Sequence, residues 1–267
     1  MKQWFSPKMQ ALSGHATRHL APRLGSGYPW WYVLEYPKAG GTWLSRMVAD
    51  YLRLPFPQHS RLPTMFSCVI HGHWKHTPGL NNVFYLARDG RDTMVSLYFM
   101  RMKAVERQKF SSDARHKRTY ESLFGVGFDP ADIQTNLPKF IEHEMKNPRD
   151  CRVSWPNHVE TWWQPDDPGI ACLKYEELLT DPVETLARCF EKFTDQPADR
   201  DELAITVDRF SFQKMTGRKP GSEDKSSFLR KGIAGDWVNH FSPDAVDVFN
   251  RYAGSALTEL GYTTPTV

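Results

Sequence analysis

Chemistry in this chain begins with a lysine set beside two glycines. In "YVLEYPKAGGTWLSRMVADYL", Tyr32 to Leu52, Gly40 and Gly41 allow a tight turn and bring backbone N–H groups close to a ligand, and Lys38 adds a movable positive charge. At the start of a helix such a turn is an anion nest. The nucleoside-triphosphate loop G-x-x-x-x-G-K-[ST] is absent because the lysine precedes the glycines, so the turn suits phosphate without being an ATPase loop. A purely structural strand-to-helix turn is the alternative. A second cation, Arg88, directly follows the apolar run Val83 to Ala87, and Ser96 offers a hydroxyl eight residues further on. Pairing with Asp89 or Asp92 is the structural alternative for Arg88, and Arg91 suits that role. A third basic cluster lies in "EDKSSFLRKGIAGDWVNHFSPD", which reads equally as a phosphate-binding loop or an exposed linker.

Proton transfer needs a different group. The segment "CVIHGHWKHTP" supplies His71, His73 and His76 just beyond a short apolar strand, and an imidazole with a pKa near about 6.5 takes up a proton at neutral pH without a permanent charge. Read alone, each is more often a surface or capping histidine. No carboxylate and histidine stand at metal-ligand spacing, so no metal is expected. Cys68, Cys151, Cys172 and Cys189 lie far apart, with no close pair for structural zinc or thiol exchange, and are expected to be reduced and buried.

These groups need a scaffold that brings them together. Trp31 to Tyr36 reads as a central strand, and Thr42 as the cap of a helix to about Leu52, with Leu44, Met47, Val48 and Tyr51 on its apolar face. Further strands are expected at Ser67 to Ile70, Val83 to Ala87 and Ile170 to Leu173. Helices are expected from about Thr93 to Met102 and from about Pro182 to Phe193. Short apolar strands alternating with helices imply an α/β fold, a three-layer sandwich around a mainly parallel sheet. One domain is expected over 1–267, with 1–29 an irregular lead-in and about 101–135 a charged lid or insertion. Apolar residues at 40% and charged residues at 24% describe an ordinary globular chain. With 34 basic and 31 acidic residues the net charge is only +3, which does not argue for nucleic acid. No segment approaches the roughly 18 apolar residues of a membrane span, so a soluble, cytoplasmic protein is expected.

Several stretches also resemble one enzyme family in order along the chain. "YPKAGGTWL" resembles the 5'-phosphosulfate loop of the cytosolic-type sulfotransferases, usually written YPKSGTTWL, and "YLARDGRDTMVSLYFM" resembles their 3'-phosphate region. "RKGIAGDWVNHF" is similar to their RKG-x-x-GDW-x-N-x-F segment, and "SWPNHVETWW" and "CLKYEELLTDP" match segments between. The resemblance spans roughly Tyr28 to Ser242.

It implies the sulfotransferase version of the P-loop nucleoside-triphosphate-hydrolase-like fold, and a bacterial-like member acting on small molecules. The donor would be 3'-phosphoadenosine-5'-phosphosulfate (PAPS) and the product 3'-phosphoadenosine-5'-phosphate (PAP). Lys38, Gly40, Gly41 and Thr42 would surround the phosphosulfate, and Trp43 would stack on adenine. Arg88 and Ser96 would bind the 3'-phosphate, with Arg230, Lys231 and Gly232 closing over it. Tyr175 would reach the adenine edge, with Ser211, Phe212, Phe228 and Leu229 nearby; Phe210 stands where the family has threonine. The family's lysine-threonine-histidine segment matches "IHGH", which puts His73 on the general base and His71 on the lysine position. Lys38 would steady the oxygen that leaves sulfur.

The acceptor class follows less directly. A phenol or alcohol is the first expectation and a sugar hydroxyl on a glycan the second. The family's short dimerisation segment has no clear equivalent in "NHFSPDAVDVFNRYAGSALTEL", which leaves the oligomeric state open. The alternatives are a kinase or nucleotide hydrolase, which would need magnesium and an acidic ligand for it, and a non-catalytic nucleotide-binding protein.

Overall fold

The computed structural model describes Leu20 and residues 30–57, 67–107, 111–149, 151–224, 227 and 229–263. The lead-in expected over 1–29 lies outside the described residues apart from Leu20. Four parallel strands form the sheet: β1 (Trp30–Glu35), β2 (Cys68–Gly72), β3 (Val83–Ala87) and β4 (Ile170–Lys174), in the order β2-β1-β3-β4. Helix α1 (Gly41–Tyr51) follows β1, and α2 (Gly90–Arg107) follows β3. Then come α3 (Ser111–Phe124), α4 (Ile133–Lys146) and α5 (Trp155–Trp162). After β4 the chain forms α6 (Tyr175–Thr180), α7 (Pro182–Thr194), α8 (Arg200–Arg209) and α9 (Phe212–Thr216), then a 3-10 turn (Asp236–Asn239) and α10 (Pro243–Glu259).

Alternation along the strands builds two cores. Trp30, Tyr32, Leu34, Tyr85 and Cys172 face one side, where they pack with residues of α2, α4, α5 and α10. Val33, Val69, Phe84, Leu86 and Leu173 face the other, against α1, α7 and Leu203 of α8. Every β3 residue is buried, as a central strand covered on both faces requires. The result is the expected three-layer sandwich. Among the described residues no helix is long and apolar enough to cross a membrane.

Strand β1 is Trp30–Glu35 rather than Trp31–Tyr36, and three further differences from the sequence expectation bear on the site. Strand β2 runs on to Gly72, so His71 lies within it; pairing of Val33 with His71 and Leu34 with Gly72 carries the ladder through the polar residues. Helix α1 starts at Gly41, with left-handed Gly40 as its N-cap and no capping side chain on Gly40. Thr42 therefore sits inside the first turn and is not the cap. Helix α2 extends to Arg107, so the charged segment begins as a continuation of that helix and goes on into α3, whose Tyr120 is fully buried.

All four strands run the same way, so their C-terminal ends share one edge. Glu35, His71, Ala87 and Lys174 mark it, followed by the Lys38 turn, His73, Arg88 and Tyr175. The chain leaves β1 for β2 on one side and returns to β3 on the other. The crevice left between diverging connections is where open parallel sheets bind ligands.

Candidate active site

Glu35 closes β1 and, although buried to 3% exposure, organises the edge. Its carboxylate accepts the Gly41 N–H, an N–H that the first turn of α1 leaves unpaired, and also the His71 Nε2–H at 3.0 Å. Its main-chain carbonyl accepts from His73 Nδ1 at 3.2 Å. A carbonyl oxygen can only accept, so His73 carries a proton on Nδ1, and in the neutral ring Nε2 is the nitrogen that can accept. Burial opposes the charge of Glu35. The His71 hydrogen bond, the imidazoles of His71 and His73 and the Gly41 N–H outweigh it, so the carboxyl lies below its ordinary range and stays ionised. Donor atoms of Glu35, His71 and His73 lie within 4.8 Å of one another, compact enough for a cation. Sequence spacing had offered no such carboxylate and histidine arrangement; the pairing of β1 with β2 creates it. Glu35 was not singled out, although an acidic residue inside the apolar run "WYVLEY" is the signal that marks it.

The turn after Glu35 is held in an uncommon shape. Lys38 has φ of 78° and Gly40 φ of 113°, and a Cβ on Gly40 would lie 2.9 Å from the Tyr175 ring. Burial lowers the Lys38 ammonium to about 8; Glu35 opposes this, and the Arg88 and Arg230 cations add to it. Arg88 reaches across the crevice, its Nη1 donating to the Lys38 carbonyl at 3.2 Å and its Nη2 to the Ile233 carbonyl at 3.3 Å. Its guanidinium lies 4.4 Å from the centre of the Tyr175 ring, and its buried Nε–H has no hydrogen-bond partner among the described residues. A buried donor left unpaired beside the Lys38 turn suits an anion. Arg88 also takes the structural pairing with Asp92, its Nη2 lying 3.6 Å from Oδ2, while Arg91 holds Asp89 at 2.7 Å. Trp43 donates from Nε1 to the Phe210 carbonyl at 2.8 Å and meets Tyr175 edge to face at 5.9 Å. Thr42, Trp43, Arg46, Met215, Arg218 and Leu229 line part of a cavity of about 370 Å³ beside the turn. A larger cavity of about 560 Å³, lined by Glu176, Glu184, Arg188 and Arg200 among others, lies apart from these residues.

The C-terminal segment closes over the crevice on two anchors. Asp236, 2% exposed, binds Lys231 Nζ at 2.5 Å and Arg230 Nη2 at 2.7 Å, and takes further bonds from Asn239 and His240. Asp92 of α2 accepts the Gly235 N–H at 2.7 Å and the Trp237 N–H at 2.8 Å. Arg218 staples the loop by donating to the carbonyls of Ser222, Leu229 and Arg230 at 2.7, 2.5 and 2.9 Å. A Cβ on Gly232 would run into the Phe212 ring. Nothing in the sequence marks Arg218 or Asp236, or gives Asp92 more than a pairing with Arg88. Their work is on backbone and neighbouring charges, which no local motif reports.

The remaining residues divide. Ser211 uses its hydroxyl to cap α9, accepting from Lys214 N at 3.4 Å. Ser96 is half-buried on α2 and makes no hydrogen bond to Arg88 or Arg230. Phe228 lies outside the described residues. His76 packs on Trp162 at 4.8 Å, away from Glu35. His158 of α5, against Tyr36 and bonded to the Tyr85 hydroxyl at 3.1 Å, is pushed down to about 3, first by burial and then by His73, so it stays neutral.

A profile for the sulfotransferase domain matches residues 79–261. Sulfotransferase 1B1 of Canis lupus familiaris is 36% identical over 258 residues, covering 79% of this chain and 77% of that protein. Sulfotransferase 1C2 of Homo sapiens is 31% identical over 256 residues, covering 79% and 77%. Among solved structures, mouse sulfotransferase SULT7A1 complexed with PAP superposes with a TM-score of 0.61 at 18% identity, covering 94% of this chain and 92% of that one. Retinol dehydratase in complex with androsterone and inactive cofactor PAP gives 0.62 at 16% identity, over 95% and 88%. The sheet and its layers are thus those of the sulfotransferase fold. The chain belongs to the PAPS-dependent sulfotransferase family, an enzyme class whose chemistry is sulfonyl transfer. The expectation of a bacterial-like member draws no support from these mammalian relatives.

Proposed function

We propose that this chain is a single-domain cytoplasmic sulfotransferase that moves the sulfonyl group of PAPS to the hydroxyl of a small molecule, a phenol or alcohol before a sugar. The observation that carries this reading is the placement of His73, its Nδ1 proton held by the Glu35 carbonyl, on the same short edge as the Lys38 turn, with Glu35 joining the two. Buried, free cysteines suit a reducing compartment. The residues fit the donor: a buried unpaired Arg88 Nε–H, the Lys38 ammonium and the Gly40–Gly41 turn supply donors and positive charge, and Trp43 and Tyr175 supply aromatic faces beside them.

In this scheme Arg88, Arg230 and Lys231 hold the 3'-phosphate, and Trp43 and Tyr175 hold the base. His73 Nε2 takes the acceptor's hydroxyl proton as the oxygen attacks sulfur in line. The bond from sulfur to the bridging oxygen breaks, and Lys38 meets the charge that grows there. Glu35, 3.9 Å from His73 Nδ1, steadies the imidazolium that forms. His71 stands beside it, the two rings 5.0 Å apart.

A panel of phenols, alcohols and saccharides incubated with isotopically labelled PAPS, with products read by mass, tests the reading. A gain of one labelled sulfonyl group on a hydroxyl is expected. Magnesium-dependent turnover of ATP with no sulfated product would favour a kinase or hydrolase instead, and tight PAP binding without any product would favour a non-catalytic nucleotide binder.

A further inference from the structure

Two departures from the family pattern meet at one point in space. Gly41 stands where YPKSGTTWL has threonine, and His71 where the lysine-threonine-histidine segment has lysine. A Cβ on Gly41 would lie 2.5 Å from Glu35 Cδ and 2.6 Å from His71 Nε2, so a threonine has no room there while Glu35 and His71 are paired. The missing side chain at 41 and the carboxylate at 35 are one arrangement.

From it we infer that Glu35 is a positioning residue: its carboxylate fixes the His71 proton on Nε2 and ties the base side of the crevice to the phosphosulfate turn through the Gly41 N–H. This rests on the reading of the site given above. The contact has two consequences of opposite sign. It orders the imidazoles for proton transfer. It also sets a buried negative charge beside a turn that must accept an anion, occupying one of the turn's N–H groups and drawing on the charge of Lys38. Glu35 therefore favours turnover at the expense of nucleotide affinity. A residue that merely supported the fold would move both the same way when lost.

Two variants separate position from charge. Glu35→Gln keeps the shape and removes the charge, and Gly41→Ala keeps the charge and pushes the pair apart. For Glu35→Gln, calorimetry with PAP is expected to show affinity raised about threefold or more, since a like charge near the anion is gone. Single-turnover transfer from PAPS should fall about tenfold or more. The nitrogen-15 imidazole spectrum of His71, a single Nε2–H form in the wild type, should become a mixture. For Gly41→Ala the transfer rate should fall with no gain in affinity. If Glu35→Gln instead loses affinity and turnover together with a lower melting temperature, or changes neither, Glu35 is structural or idle and the inference is overturned. Were the wild type itself to sulfate no acceptor, the preceding reading would fail. The PAP affinities and His71 spectra of wild type and variants would still decide what Glu35 does.

Discussion

Three histidines stood within six residues of one another in the sequence, and their surroundings separate them. His73 Nδ1 is committed to the Glu35 carbonyl and His71 Nε2 to the Glu35 carboxylate, while His76 lies on Trp162. His73→Ala is expected to leave PAP affinity near wild type and cut single-turnover transfer by about 100-fold or more, the size of a lost positioned base. His71→Ala should fall between, and His76→Ala near wild type; a large loss only in His76→Ala would move the base along the loop. Lys38 gives a pH test. With its ammonium near about 8 in the free protein, it is charged below that pH and progressively neutral above it. PAP affinity should thus be flat from about pH 7, above the second phosphate ionisation, to about pH 8 and weaken as pH rises past it, with the bend absent in Lys38→Arg. A bend that survives in that variant would assign the titration to another group.

At the scale of elements, one of the two carboxylates that anchor the C-terminal loop aims its cations. Burial works against the charge of Asp236, and bonds from Lys231, Arg230 and Asn239 overcome it, so its pKa is depressed below the ordinary aspartate value. A depressed carboxylate stabilises the folded loop above the ordinary value and loses that contribution only as pH falls through the lower, folded one. The loop should hold at pH 4 and release in stronger acid. Asp236→Asn should cost about 1.5 to 3 kcal/mol in thermal unfolding and weaken PAP binding, because Arg230 and Lys231 lose the anchor that aims them. Unchanged PAP affinity would show that the loop closes without it. The elements that the sequence made legible were those with short-range causes. Val83–Ala87 is a continuous apolar run and α7 opens on Pro182, as a first helical residue often does. The start of α1 was misplaced because the acceptor for its free N–H comes from Glu35, in the preceding strand, and not from a side chain at the cap. The reach of β2 was underestimated because β1, not the residues of β2, decides where that ladder stops.

For the whole molecule, nucleotide binding and folding are one linked equilibrium. PAP at about 100 times its dissociation constant should add roughly 2.7 kcal/mol, and each kcal/mol raises the melting temperature of a chain near this size by about 2 to 4 °C. The shift is expected to be the same with and without a chelator, since Lys38, Arg88, Arg230 and Lys231 provide the positive charge. A shift that needs magnesium would revive the kinase reading. The parallel three-layer plan was legible because buried strands and amphipathic helices alternate in order. The crevice contacts were not, because Arg88 to Ile233 and Asp92 to Gly235 span more than a hundred residues of chain and exist only once the layers are packed.

The two cores carry one further consequence. Cys68, Cys151 and Cys172 sit in the core shared with α2, α4 and α5, and Cys189 alone, on the buried face of α7, sits in the core on the opposite side of the sheet. All four are buried thiols outside any disulfide, and burial pushes those of Cys172 and Cys189 up to about 11 and about 12, so in the native state these two are poor nucleophiles. Alkylation then waits on opening, and the site labelled tells which face of the sheet came apart first. The molecule is its own two-channel recorder of partial unfolding, with no probe to be engineered.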